Sequence, residues 1–117
     1  MTDFFVHDSA YVDDNVTIGK DTKIWHFSHI QSNAIIGKNT TIKYSFVLTD
    51  TPNLKEGDFK SVQGIGDNVL IGANVTLMPG FSIGNNSIIG ACSQVRSNIP
   101  SDEIWYGSPA KFFKKNI

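Results

Sequence analysis

Two histidines three residues apart, His26 and His29, lie in the segment Lys23-Ile24-Trp25-His26-Phe27-Ser28-His29-Ile30. Imidazole titrates near neutrality, so either ring could take the proton that an attacking nucleophile must lose. A third histidine, His7, stands near the N-terminus and carries no assigned role. Cys92 is the only cysteine, which excludes an internal disulfide framework and a multi-cysteine zinc site. Arg96, Lys111, Lys114 and Lys115 gather toward the C-terminal end and could meet an anion, although Lys114 and Lys115 read better as a solvated basic tail. A formal net charge of -1 over 117 residues argues against a nucleic-acid partner. No run reaches the roughly 18 apolar residues of a membrane span, and Met1 to His7 lacks the basic and long apolar stretches of a signal peptide. No membrane partner is expected, and the expected compartment is the cytoplasm.

The elements that must position these groups show themselves through a six-residue pulse. Stepping by six from Val6 gives Val12, Ile18, Ile24, Ile30, Ile36, Ile42 and Leu48, and a second run gives Ile65, Ile71, Leu77, Ile83, Ile89 and Val95. Ile, Leu and Val supply only 26 of the 117 residues, so fourteen aliphatics in fourteen places are not a chance of composition. Such a period suits neither an amphipathic helix nor an alternating strand. Glycine follows the aliphatic at Gly19, Gly37, Gly66, Gly72, Gly84 and Gly90, and asparagine recurs at Asn39, Asn68, Asn74 and Asn85. Both residues tolerate positive φ, so they are expected at a sharp corner in every repeat. A short strand and a corner, repeated, predict a β-solenoid in which each coil pairs with the next and buries its aliphatics.

The runs fall out of step between Leu48 and Ile65, which are 17 residues apart, and the stretch from Asp50 to Val62 holds a proline, a glycine and five charged residues. It reads as a loop thrown out from the wall, a frequent site of function. After Val95 the pulse fades, and the tail is expected to cap the open end as a short helix or strand. The reading is one β-helix domain over 1–117, with N-terminal coils over 6–49, a projecting loop over 50–64, C-terminal coils over 65–100 and a tail over 101–117. With Ile24, Ser28 and Ile30 inward, Trp25, His26, Phe27 and His29 must point out, and such a wall needs a subunit or a ligand against it. An 18-residue coil also stacks Gly72 beneath Gly90 and Ala73 beneath Ala91, a strip poor in side chains.

This pattern resembles the hexapeptide-repeat family of acyltransferases, and the resemblance implies an all-β, left-handed parallel β-helix of about 4.7 coils. It also implies acetyl-CoA as cosubstrate, no metal, and a homotrimer. In that family coenzyme A lies along a smooth wall at a subunit boundary, which points to Gly72, Ala73, Gly90 and Ala91. Arg96 and Lys111 are then expected at its phosphates, Lys111 because Gly107-Ser108-Pro109-Ala110-Lys111 looks like a Gly-x-Pro-Ala-Lys/Arg terminal segment. The Trp25-His26-Phe27-Ser28-His29 segment looks like that of sugar-nucleotide N-acetyltransferases, which acetylate the amino group of a nucleotide-linked amino-deoxysugar (dTDP- or UDP-linked) in surface polysaccharide biosynthesis. The resemblance makes His29, then His26, the candidate base. It places Trp25, Asp50 and Asn53 near the sugar, with Asp50 standing where relatives carry asparagine and able to orient the amine or take its proton. Relative to that subgroup the chain is shorter by about two coils between Ile42 and the loop. The competing readings are an O-acetyltransferase of the same fold, a non-catalytic trimeric scaffold, and a metal enzyme like γ-class carbonic anhydrase. The last is disfavoured by the spacing of His26 and His29.

Overall fold

The six-residue pulse translates into strands only two residues long, because each repeat must turn before a third residue can extend. The computed structural model describes residues 3–48, 64–78 and 80–117. Its strands are β1 (Phe5–Val6), β2 (Tyr11–Val12), β3 (Thr17–Ile18), β4 (Lys23–Ile24), β5 (His29–Ile30), β6 (Ile35–Ile36), β7 (Thr41–Ile42), β8 (Val47–Leu48), β9 (Gly64–Ile65), β10 (Leu70–Ile71), β11 (Thr76–Leu77), β12 (Ile88–Ile89), β13 (Gln94–Val95), β14 (Glu103–Gly107) and β15 (Ala110–Lys115). They stack into three sheets, ordered β1-β4-β7-β10-β12-β14-β15, β2-β5-β8-β11-β13 and β3-β6-β9. All pairings within the coils are parallel, and isolated bridges from Ile65 to Ile83 and from Ile83 to Ile99 carry the third wall upward. The result is a parallel β-helix of about five turns, with no helix among the described residues.

Ile24, Ile30, Ile42, Ile71, Leu77 and Val95 are wholly buried at 0% exposure, so the pulse points to the axis as expected. Each such side chain contributes on the order of 1.5–3 kcal/mol. Two residues earlier in each repeat a second inward slot holds Thr22, Ser28, Ala34, Thr40, Phe46, Val69, Val75, Ser87 or Ser93. Buried hydroxyls must be hydrogen-bonded, and here they stitch one coil to the next. The Thr40 hydroxyl donates to the Gly66 carbonyl at 2.8 Å and accepts from the Val69 N–H at 3.2 Å. Thr22 does the same between Gly37 and Thr40, and Ser28 between Lys43 and Phe46.

The corners bear out the asparagine expectation at Asn39, Asn68 and Asn74 and depart from it at Asn85 and at the glycines. The left-handed residue stands three places before the inward aliphatic, at Asn15, Asp21, Phe27, Asn33, Asn39, Ser45, Asn68, Asn74, Asn86 and Cys92, and it recurs at Asp102 in the tail. Asn86, not Asn85, is the corner residue in its repeat. The glycines that follow the aliphatics serve close stacking instead. A Cβ on Gly19 would lie 2.5 Å from the Gly37 carbonyl carbon, and one on Gly72 would lie 2.8 Å from the Ala91 nitrogen.

Register explains the break in the pulse. Partners sit 18 residues apart below it, as in Lys23 with Thr41, but 29 apart across it, as in Thr41 with Leu70. Leu48 and Ile65 belong to adjacent walls, so their natural separation is six and the surplus is 11 residues. The coils on either side therefore stay in register across the surplus; of the loop expected over 50–64, Gly64 is the first residue of β9 and the rest lies outside the described residues. The tail is strand, not helix: β14 stacks in parallel on β12, and β15 folds back antiparallel to it. This hairpin covers the last edge of the seven-stranded sheet.

Candidate active site

The corner that leads from the seven-stranded sheet to the five-stranded sheet carries the histidine segment. Stacking places five tripeptides along it: His7-Asp8-Ser9, Trp25-His26-Phe27, Lys43-Tyr44-Ser45, Gly72-Ala73-Asn74 and Gly90-Ala91-Cys92. Hydrogen bonds hold the column, from the Ser45 N–H to the His26 carbonyl, from Asn74 to Tyr44 and from Cys92 to Ala73, each at 2.8 Å. The Phe27 N–H donates to the Ser9 hydroxyl at 2.9 Å. One edge thus joins the aromatic segment to the small-residue strip that the sequence suggests for coenzyme A.

Its lower half is an aromatic stack. The His7 and His26 rings lie 3.6 Å apart at 28°, Tyr44 meets His26 edge-on at 5.2 Å, and Phe5 packs on Trp25 at 5.0 Å. Trp25 and His26 are therefore half-buried by neighbours rather than free. The buried Nδ1 of His26 has no hydrogen-bond partner among the described residues. His7 is held in turn, its Nδ1 lying 2.9 Å from the Ser9 hydroxyl.

His29 lies one step beyond the corner, on β5, with Tyr11 and Val47 as register neighbours. Its Nε2 is 3.1 Å from the Asp13 carboxylate, and the two side chains are 40% and 21% exposed. A carboxylate on one ring nitrogen fixes the imidazole's orientation and stabilises the imidazolium that forms when the other nitrogen takes a proton. The Tyr11 ring meets His29 edge-on at 5.3 Å. Ser9, Tyr11, Asp13, Phe27, Ser28 and His29 line an open cleft of about 500 Å³, and His26, Phe27 and Tyr44 line a neighbouring one of about 390 Å³.

This corner also breaks the local rule that the other corners keep. Of the eleven non-glycine residues at positive φ among the described residues, eight are Asn or Asp, the residues that accept it most readily. The three exceptions, Phe27, Ser45 and Cys92, all stand on this edge. For a phenylalanine the left-handed conformation costs about 1–2 kcal/mol.

Not every residue expected at the site is brought to it. Gly72, Ala73, Gly90 and Ala91 share the edge with Trp25 and His26, and His29 stands beside it. Lys111 reaches its upper end, because Lys111 pairs with Tyr106 across the hairpin and a Cβ on Gly90 would lie 2.8 Å from the Tyr106 Cβ. Arg96 does not: it follows β13 at the next corner of the coil, exposed and away from the strip. Asp50 and Asn53 lie outside the described residues. Asp13, Tyr11 and Tyr44 were not singled out from sequence, yet Tyr11 is 18 residues before His29 and Tyr44 is 18 after His26. The coil length alone could have found these two. Asp13 reaches His29 diagonally, across 16 residues. No cluster of three or more metal-ligating side chains occurs among the described residues.

The bacterial transferase hexapeptide (six repeats) family matches the chain over residues 15–45 and 64–97, more than half of it. The chain is 37% identical to the bifunctional protein GlmU of Methanococcus vannielii, covering 98% of this chain and 30% of that protein. It is 32% identical to the putative lipopolysaccharide biosynthesis O-acetyl transferase WbbJ of Escherichia coli K12, over 97% of this chain and 64% of that protein. A galactoside acetyltransferase solved in complex with coenzyme A superposes with a TM-score of 0.75 at 25% identity, over 97% of this chain and 66% of that one. The chain thus spans less than two thirds of the length of each of these relatives. Its repeat, its three stacked walls and these matches agree: the chain belongs to the bacterial transferase hexapeptide family.

Proposed function

We propose that the protein transfers the acetyl group of acetyl-CoA to the amino group of a nucleotide-linked amino-deoxysugar. The observation that carries the reading is the His29–Asp13 pair in an open cleft, beside the edge that bears the smooth strip. Smallness by itself is not the support, since Gly19, Gly37, Gly66 and Gly84 line another corner for stacking reasons. What distinguishes Gly72, Ala73, Gly90 and Ala91 is that their edge continues into His26 and ends beside Tyr106 and Lys111. The strip fits a thin pantetheine arm laid against backbone, with Lys111 at the phosphate end. The relatives add weight, one named an O-acetyl transferase and one solved with coenzyme A.

The thioester supplies an already activated acyl carbon. Asp13 holds the His29 ring through Nε2, which leaves Nδ1 to accept the proton that the amine loses as its nitrogen bonds to that carbon. The C–S bond breaks, and the proton on His29 is available to the departing thiolate. Backbone N–H groups along the edge are available to the developing oxyanion. A homotrimer, which would set this edge against a neighbouring subunit, is part of the same proposal.

A second reading, transfer to a sugar hydroxyl, is favoured by the Escherichia coli relative, which is named an O-acetyl transferase. One screen decides. Purified protein is given acetyl-CoA with dTDP- and UDP-linked amino-deoxysugars and, separately, with sugars that offer hydroxyls alone, and free thiol and acetylated product are followed. Product from the amino sugars supports the first reading; product only from the hydroxyl set replaces it with the second. Thiol release from neither overturns both.

A further inference from the structure

Phe27 is the residue on which the fold spends conformational energy without visible structural return. It takes a φ of 59° at a position where eight of eleven equivalents are Asn or Asp, and its side chain is 70% exposed. Its one ring contact among the described residues is a tilted approach to His26 at 6.1 Å. The backbone is nonetheless pinned. The Phe27 N–H is held by the Ser9 hydroxyl, and the His26 carbonyl accepts from Ser45. Ser9 is itself anchored on His7. An outlier that the surroundings hold in place is the kind of strain found at functional sites.

Its position gives that strain a use. Phe27 lines both the cleft that holds His29 and Asp13 and the one formed with His26 and Tyr44. The first cleft has a second exposed ring, Tyr11 at 66%. Two aromatic rings and an acid–base pair in one lining match a ligand with an apolar ring face and a polar rim.

We infer that Phe27 is a specificity-determining residue: its ring is the wall on which a ring of the acyl acceptor packs, turning the acceptor's nucleophile toward His29. The inference deepens the acetyl-transfer reading and rests on it for the word acceptor. The face that packs belongs either to the acceptor's sugar, through its C–H groups, or to its nucleobase.

The test compares wild type with Phe27→Asn, Phe27→Leu and Phe27→Tyr. Phe27→Asn should fold and melt at or slightly above the wild-type temperature, because asparagine relieves the strain. By calorimetry its affinity for the nucleotide sugar should fall about tenfold or more, with coenzyme A affinity unchanged. Phe27→Tyr should keep wild-type affinity and Phe27→Leu should lose it with melting intact. Loss for the amino sugar phosphate assigns the packing to the sugar, and loss for the nucleoside diphosphate assigns it to the base. Nucleotide-sugar affinity within twofold of wild type in Phe27→Asn overturns the inference, as does an equal loss for coenzyme A. Loss of ligand in a protein that acetylates nothing in the screen leaves the wall standing and overturns the acetyl-transfer reading. A wild-type protein that binds none of these ligands overturns both.

Discussion

At the scale of single residues, the proposed chemistry turns on which nitrogen of His29 is free. Asp13 lies on Nε2 at 3.1 Å, so the carboxylate orients the ring and, in the proposed mechanism, leaves Nδ1 to do the work. Replacing His29 with alanine should lower the transfer rate by roughly 10²-fold or more if it is the base. A fall of a few-fold with melting intact would reduce it to a packing residue. If Asp13 acts through His29 rather than on substrate, as proposed, Asp13→Asn should lower kcat while leaving the KM for acetyl-CoA in place, and Asp13→Glu should recover part of the loss. An unchanged pH–rate profile in Asp13→Asn would separate the two residues. His26, the other candidate, is stacked on His7 and touched by Tyr44, which makes it part of the wall that holds Phe27.

At the scale of elements, strands of two residues cannot hold themselves together, and the inward hydroxyls supply part of what the short ladders lack. Thr40→Val keeps the shape but leaves the Gly66 carbonyl and the Val69 N–H without their bridge. Unfolding by urea should show a loss of about 1–3 kcal/mol. A neutral result would mean that water or a backbone shift satisfies both groups. The terminal hairpin is held differently. Glu103 accepts from the Lys115 ammonium at 2.9 Å and from the Trp105 indole at 2.8 Å. Those bonds, the Lys115 one foremost, hold its carboxyl below the ordinary 4.5. A carboxylate depressed in the folded state adds stability that is complete above the ordinary value and is lost as pH falls through the lowered one. The hairpin should therefore stay closed near neutrality and loosen well below pH 4.5. The Trp105 indole N–H resonance reports it, and Glu103→Gln should abolish the pH dependence.

At the scale of the whole molecule, the solenoid is closed at one end and open along one edge. The inward residues of the first coil, Val6, Val12 and Ile18, are only partly buried, whereas their successors are fully so. Exposed Tyr11, Phe27 and Tyr44 line the flank that carries the candidate site. We expect the protein to sediment as a trimer, about three times 12.9 kDa. Sedimentation as a monomer at assay concentration, with transfer intact, would show that the site is complete within one chain.

The amino-acid sequence by itself determined the repeat, the inward aliphatics and the outward histidine segment, because a six-residue spacing of buried side chains admits few other windings. It marked the break in the pulse between Leu48 and Ile65 but not the 11-residue surplus in register, since counting between them hides that they lie on different walls. It misread the glycines, because tolerance of positive φ and tolerance of close approach both favour glycine and only the backbone path tells them apart. The tertiary structure alone decided that Asp13 meets His29, that His7 stacks on His26, and that Arg96 turns away from the edge that Lys111 approaches. Such contacts depend on diagonal neighbours between coils. Their geometry follows from the stacking and twist of the walls, which no local pattern of residues records.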